Sequence, residues 1–153
     1  AATYVQEAWR QVEGATGAPF NHEFWTTCAP RRSTYPACRA AIAAERLSPG
    51  SLPGMFEAIQ RAYYLEARNP SDLEVLISCA ESLDLEPASF ARELASAKTQ
   101  QTFEEHLARR ERLGAEGFPS LYFTDSRTPP TLVMRGYASS DEVMRRIAKE
   151  ANA

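Results

Sequence analysis

Three cysteines, Cys28, Cys38 and Cys79, are the residues whose type could carry covalent chemistry in this chain. A cysteine exchanges disulfides as its thiolate, and a second cysteine two residues further on commonly resolves the mixed disulfide. The 153 residues contain no Cys-x-x-Cys, and Cys38 follows Cys28 by ten positions. This pair could work together only if the intervening segment folds back on itself. Burial as free thiols is the favoured interpretation for Cys38 and Cys79, because each lies on an apolar helix face.

Two other groups of residues could hold a ligand. Phe118-Pro119-Ser120 leads into a strand-like segment, and Ser139-Ser140-Asp141-Glu142 has the pattern of a capping box that opens a helix. The exposed N–H groups of a helix start bind anions, although a cap alone is the favoured interpretation of the second group. His22 and His106 have no metal-ligand spacing with each other or with a cysteine, so no metal site is predicted.

Composition excludes several classes of protein. The chain is 44% hydrophobic and 24% charged with a net charge of −3, which is ordinary for a globular domain. Acidic and basic residues are interspersed, so the sequence predicts neither nucleic-acid binding nor membrane association. The odd number of cysteines favours a reducing, cytoplasmic location. A periplasmic location stays open, because a removed signal peptide would also leave a first residue such as Ala1.

Helical periodicity predicts a mostly helical chain that ends in a β-hairpin and a helix. Three helices are predicted over residues 4–13, 34–46 and 55–63. Three more begin at a capping box over 71–74, at Glu86-Pro87 and at a Thr99 cap. A last helix begins at Ser139, with Val143, Met144, Ile147 and Ala148 facing inward. Strands are predicted at 121–124 and 131–134, with a polar turn between them. An isolated hairpin is marginal in water, so we expect further strands from a missing N-terminal segment or from a partner.

Three stretches carry a resemblance to a known family. They are Ser33-Thr-Tyr-Pro-Ala-Cys-Arg-Ala-Ala41, Met55-Phe-Glu-Ala-Ile-Gln-Arg-Ala-Tyr-Tyr64 and Gly117-Phe-Pro-Ser-Leu121. In order and spacing the chain resembles the DsbA family, and within it the FrnE-like predicted disulfide isomerases. The resemblance covers essentially the whole chain.

The resemblance implies an α/β, thioredoxin-like fold with an inserted all-helical domain. Residues 1–32 then form a helix and an irregular segment leading into the fold, residues 33–113 the helical insertion with its flanking helix, and residues 114–153 the closing β-β-α segment. The opening βαβ unit, which holds the Cys-x-x-Cys in relatives, is absent from these residues.

The function implied by the resemblance is that of a thiol–disulfide oxidoreductase or isomerase. The redox cysteines would lie upstream of Ala1, and the chain alone would be inactive. Phe118, Pro119 and Ser120 would form the substrate-binding loop, with a cis Phe118–Pro119 bond. The substrate would be a thiol- or disulfide-containing polypeptide, or glutathione, and no cofactor is needed.

Two further details follow from related families. Ser140-Asp141 matches a Ser-Asp pair that helps to hold glutathione in kappa-class glutathione transferases and hydroxychromene-carboxylate isomerases. Arg31, Arg32 and Arg39 would lie near the active-site face and could steer an acidic peptide or glutathione, although solvated surface positions are the favoured interpretation.

Two alternatives stay open. A glutathione-dependent transferase or isomerase of the same fold would have a serine in place of the first redox cysteine. A non-catalytic binding domain would truly begin at Ala1 and would expose an unpaired sheet edge. The sequence leaves the substrate, the direction of the redox reaction and the oligomeric state open.

Overall fold

A computed structural model of the chain describes residues 2–29, 33–125 and 129–151. These ranges contain eight helices and two strands: α1 (Ala2–Thr16), α2 (Phe24–Thr27), α3 (Tyr35–Leu47), α4 (Leu52–Tyr64), α5 (Leu73–Glu81), α6 (Pro87–Leu94), α7 (Ala97–Arg112), β1 (Ser120–Phe123), β2 (Thr131–Arg135) and α8 (Ser140–Ala151). Every predicted helix and strand is present, and the short helix α2 lies within the segment that the resemblance describes as irregular. None of the described helices is long and apolar enough to cross a lipid bilayer.

The chain divides into two compact units, one up to Phe103 and one from Glu104 onward. This division falls within α7 and separates the helical bundle from the hairpin and α8. The segment boundaries that the resemblance implies, at 32/33 and 113/114, stay predictions.

The core of the first unit forms where α3 packs against α4, α5 and α6. Four alanines of α3 are buried, and their small side chains let the neighbouring helices approach closely. Met55, Leu76 and Phe90 fill the space between the helices and are almost completely buried. Each such side chain contributes roughly 1.5–3 kcal/mol by leaving water.

An aromatic cluster joins α1 to α4. Trp9 is 5% exposed, and its ring centroid lies between 5.1 and 5.6 Å from those of five other rings. These rings belong to Phe20, Phe24, Trp25, Tyr63 and Tyr64. Tilted and edge-to-face pairs of this kind are the favoured aromatic geometry. The two tryptophans and the tyrosine pair are therefore packing residues of the first unit.

The second unit contains the antiparallel pair β1–β2 and α8, which packs on β2. Within the described residues the sheet has only these two strands. Arg146 of α8 donates from Nη1 to the Val133 carbonyl, with N and O 3.3 Å apart. Met144 is 63% exposed and Ala148 is also exposed, so the predicted inward positions of these two residues are wrong, because two strands are too narrow to cover the whole apolar face of α8.

Two of the predicted helix caps differ in the structure. Ser71 donates its hydroxyl to the Ser33 carbonyl at 2.9 Å, and it does not cap α5. Thr99 is fully buried inside α7 and is not its cap, since Ser96 Oγ accepts the Thr99 N–H at 3.1 Å. The start of α6 agrees with prediction, and the Glu86 carboxylate accepts the free N–H groups of that helix's first turn.

Candidate functional site

The loop between α7 and β1, residues 113–119, is the candidate site, and we call it the Pro119 loop. Gly114 ends the helix with a φ of +63°, a left-handed conformation that glycine adopts without a steric penalty. Ala115 is buried and anchors the loop. At Gly117 an added Cβ would lie 3.5 Å from Cδ of Arg135, so the loop and the end of β2 are in close contact.

Phe118 projects from this loop into solvent. Its side chain is 77% exposed, and the bond from Phe118 to Pro119 is cis, as predicted. The Pro119 carbonyl accepts the Gly136 N–H at 2.8 Å, and Ser120 donates its hydroxyl to the Gly117 carbonyl at 2.6 Å. The loop is thus tied to the hairpin on both sides of Pro119.

The backbone of Phe118 itself has free hydrogen-bonding groups. Among residues 2–29, 33–125 and 129–151, neither its N–H nor its C=O has a hydrogen-bond partner. An extended peptide could pair with these two groups as an added strand, which is a common mode of peptide recognition. The predicted substrate-binding residues Phe118, Pro119 and Ser120 therefore lie together at one accessible position.

A cavity of about 320 Å³ lies beside this loop, between α7 and β1. Residues of α7 and of the hairpin line it: His106, Arg109, Arg110, Leu113, Ala115, Phe118, Ser120 and Tyr122. No sequence pattern links the basic residues of α7 with the Pro119 loop. His106, Arg109 and Arg110 are exposed residues of a strongly charged helix. Only the position of α7 beside β1 in the structure reveals that they share a cavity with Phe118.

Ser140 and Asp141 lie at the start of α8 and are exposed. Ser139 Oγ accepts the Glu142 N–H at 3.4 Å, as the capping-box interpretation predicts. The Glu142 carboxylate pairs with Arg146 and Arg145 at 2.6 and 2.5 Å, and these partners, Arg146 first, lower the pKa of Glu142. Neither Ser140 nor Asp141 lines the cavity beside the Pro119 loop, and their role in holding glutathione stays a prediction.

All three cysteines are free thiols, and Cys28 and Cys38 form no disulfide. Cys28 Sγ donates to the Ala67 carbonyl at 2.7 Å. Burial raises the pKa of Cys38, and burial likewise raises the pKa of Cys79, which lies in the core of the helical unit. A thiol with a raised pKa is a poor nucleophile near neutral pH. Cys79 is buried and Cys38 is half-buried, so the interpretation as buried thiols holds for Cys79 and only in part for Cys38.

Of the three arginines considered above, Arg39 lies within the described residues, and Arg31 and Arg32 lie outside them. Arg39 is half-buried and donates from Nη1 to Oε1 of Gln100 at 3.1 Å. The preferred interpretation of Arg39 as a solvated surface residue is therefore wrong. Its guanidinium contacts α7 within the helical unit. Among the described residues, no three histidine, cysteine or acidic side chains converge as metal ligands would.

Comparison with known proteins identifies the class. The sequence model of the DSBA-like thioredoxin domain family matches residues 2–148, and the chain belongs to that family. It has the DsbA-like thioredoxin fold, here mostly helical with a small antiparallel sheet. A search of curated proteins found no match.

Solved structures give the same class. A putative protein disulfide isomerase from Nitrosomonas europaea is 25% identical, with a TM-score of 0.89 over 99% of this chain and 74% of that one. The cytosolic disulfide reductase DsbM from Pseudomonas aeruginosa is 22% identical, with a TM-score of 0.76 over 99% of this chain and 77% of that one. A second structure of DsbM contains GSH and has the same identity and TM-score, over 100% of this chain and 78% of that one. At family level, the match to the DSBA-like family and the similarity to the putative disulfide isomerase support a thiol–disulfide oxidoreductase.

Proposed function

We propose that this chain is the helical and substrate-binding part of a thiol–disulfide oxidoreductase or isomerase whose Cys-x-x-Cys lies in a segment upstream of Ala1. The observation that carries the proposal is the accessible Phe118–Pro119 loop in a chain that matches the DsbA-like family over residues 2–148. Similarity to a putative disulfide isomerase adds support. The chain without that segment would be inactive.

The reaction is an exchange of two electrons between two pairs of sulfurs. One cysteine thiolate of the enzyme attacks a sulfur of the substrate disulfide, forms a mixed disulfide and expels the other substrate sulfur as a thiolate, which takes up a proton. The second cysteine then attacks the mixed disulfide and releases the remaining substrate thiol. The enzyme pair is oxidised and the substrate is reduced, and the reverse sequence oxidises a substrate.

The residues of this chain bind and orient the substrate. Phe118 offers an exposed apolar ring, and its unpaired backbone N–H and C=O can hold the substrate in an extended conformation. Cys38 and Cys79 take no part, since burial raises the pKa of both thiols. The substrate class is a thiol- or disulfide-containing polypeptide or glutathione, without a bound cofactor, in the cytoplasm, where the similar DsbM acts.

Substitution of Phe118 tests the proposal in the protein isolated at its native length. We expect Phe118→Ser to lower kcat/KM about tenfold for reduction of a self-quenched peptide disulfide, because the apolar contact is lost. Tyr4→Ser is the matched control, since Tyr4 is 79% exposed and lies in α1. Equal activity of the Phe118→Ser variant and the parent, or no disulfide exchange by the native-length protein, would overturn the proposal.

A glutathione-dependent transferase or isomerase is the second candidate. Ser140 and Asp141 are exposed at the start of α8, where free N–H groups can receive a carboxylate, and a similar protein has been solved with GSH. This candidate predicts glutathione binding by the native-length protein without exchange of a peptide disulfide. Retention of exchange activity after Asp141→Asn would favour the oxidoreductase.

A further inference from the structure

The cavity beside the Pro119 loop has a positively charged wall. His106, Arg109 and Arg110 occupy positions i, i+3 and i+4 of α7, so their side chains lie on one helix face. The opposite wall is formed by Phe118, which precedes β1, and by Ser120 and Tyr122 of β1. These alternate residues lie on one side of the strand. Two regular elements therefore define the cavity, and its 320 Å³ lies within the roughly 300–1,000 Å³ typical of small-molecule sites.

The basic groups of this wall are free to bind a ligand. Among the described residues, the side chains of Arg109 and His106 have no ion-pair or hydrogen-bond partner. Arg110 lies 3.9 Å from the Glu111 carboxylate, at the limit of an ion pair, and both side chains are exposed. Pairs of this kind contribute little and are easily exchanged for a better-placed anion.

The opposite wall is uncharged. Ser120 offers a hydroxyl that already donates to Gly117 and can still accept, while Phe118 and Tyr122 offer ring surface. A ligand that fits both walls combines a carboxylate with a less polar portion. Guanidinium groups suit a carboxylate because their planar N–H donors match its two oxygens.

We propose that this cavity binds a carboxylate group of the thiol or disulfide substrate, with Arg109 and Arg110 as the residues that determine specificity. The inference rests on the proposed function, since Phe118 both lines the cavity and belongs to the substrate loop. The carboxylate can belong to a small thiol peptide such as glutathione or to an acidic side chain of a polypeptide. In either case the cavity selects for negative charge next to the reacting sulfur.

Binding of redox-inert probes to the native-length protein tests this inference separately from catalysis. The probes are S-methylglutathione, its dimethyl ester, and a blocked hexapeptide with either one glutamate or one glutamine. NMR titration gives the affinity of each probe. We expect an acidic probe to bind and its neutral counterpart to bind at least about fivefold more weakly, and binding to weaken as salt screens the charges.

The double substitution R109Q/R110Q should weaken the acidic probe about tenfold, because two charged donors are lost. Arg112→Gln is the matched control, since Arg112 is exposed on the same helix but does not line the cavity. Arg109→Lys should retain part of the affinity. Circular dichroism should confirm that all three variants fold.

Each outcome decides the inference. If R109Q/R110Q weakens the binding of S-methylglutathione but not that of the glutamate hexapeptide, the source of the carboxylate is a small thiol peptide. If the double substitution weakens the binding of the glutamate hexapeptide only, the source of the carboxylate is a polypeptide. If neither acidic probe binds better than its neutral counterpart, or if Arg112→Gln weakens binding as much as R109Q/R110Q, the inference is wrong, even where the native-length protein exchanges disulfides.

Discussion

Replacement of Glu93 by glutamine tests how α3, α6 and α7 are joined. The Glu93 carboxylate of α6 accepts from Arg46 Nε of α3 at 2.5 Å. It also accepts from the hydroxyls of Ser96 and Thr99, each at 3.1 Å. The Glu93 side chain is 21% exposed and that of Arg46 is 34% exposed, so solvent only partly screens the pair.

The expected cost of Glu93→Gln is moderate. Hydrogen bonds to charged groups contribute about 1.5–3 kcal/mol. Because about a third of Arg46 is exposed, we discount this to about 1–2 kcal/mol of unfolding free energy. For a small protein that difference lowers the urea midpoint by about 0.5–1 M. Urea titration at pH 7, followed by the fluorescence of Trp9 and Trp25, would measure it.

The difference in unfolding free energy between the parent and Glu93→Gln should decrease as the pH is lowered. Arg46 lowers the pKa of Glu93 from its ordinary value of 4.5, so the stabilisation is present above that value. It is lost as the pH falls through the lowered pKa of the folded state. The difference in unfolding free energy between the parent and Glu93→Gln should therefore narrow progressively as the pH falls below 4.5.

Glu142→Gln, at the exposed pairs with Arg145 and Arg146, is the control and should change stability much less. Equal midpoints of the parent and Glu93→Gln at pH 7 would refute the reasoning. A gap that stays constant on acidification would refute it as well.

Three further predictions concern the core and the thiols. Phe90→Ala should cost about 3–5 kcal/mol of unfolding free energy, whereas Phe118→Ala should change it by less than about 0.5 kcal/mol, because Phe90 is fully buried and Phe118 is exposed; urea titration compares them, and similar losses would contradict the assigned burial. Thr99→Val should cost about 1 kcal/mol by removing a buried hydroxyl that donates to a carboxylate, in the same titration, and an unchanged midpoint would count against that bond. Iodoacetamide at pH 7 should modify Cys79 more slowly than Cys28, because Cys79 is buried with a raised pKa, and peptide mass spectrometry would expose the opposite order.

The fold was largely predictable because its elements have strong local patterns. Apolar spacing placed the helices, and the β-branched and aromatic residues near 121–134 placed the hairpin. The cis Phe118–Pro119 bond was predictable only from the family resemblance, since most X–Pro bonds are trans.

The predictions for Ser71, Thr99 and Arg39 were wrong because each side chain bonds to a partner outside its local sequence pattern. Ser71 matches a capping box, but its hydroxyl reaches Ser33, which is 38 residues away in sequence. Thr99 matches a helix cap, but its hydroxyl donates to the half-buried Glu93 carboxylate, and Ser96 caps the helix instead. Arg39 fits a surface position, but it packs against Gln100. No local pattern encodes these partners.

The candidate site was predicted in part for the same reason. Phe118, Pro119 and Ser120 were identified as one short motif, whose substrate-binding role stays a prediction. The basic wall of the cavity was missed, because Arg109 and Arg110 are typical residues of a solvated helix. Their relation to Phe118 becomes visible only when α7 and β1 are placed side by side in the folded unit.

We propose that a redox Cys-x-x-Cys upstream of Ala1 operates with the Phe118–Pro119 loop. The most direct measurement is intact-mass analysis and N-terminal peptide sequencing of the protein isolated from its native source. We predict a mass above that of these 153 residues, with a Cys-x-x-Cys in the additional N-terminal segment that changes by two mass units between the oxidised and reduced forms. A native protein that begins at Ala1 and carries only Cys28, Cys38 and Cys79 would contradict the account.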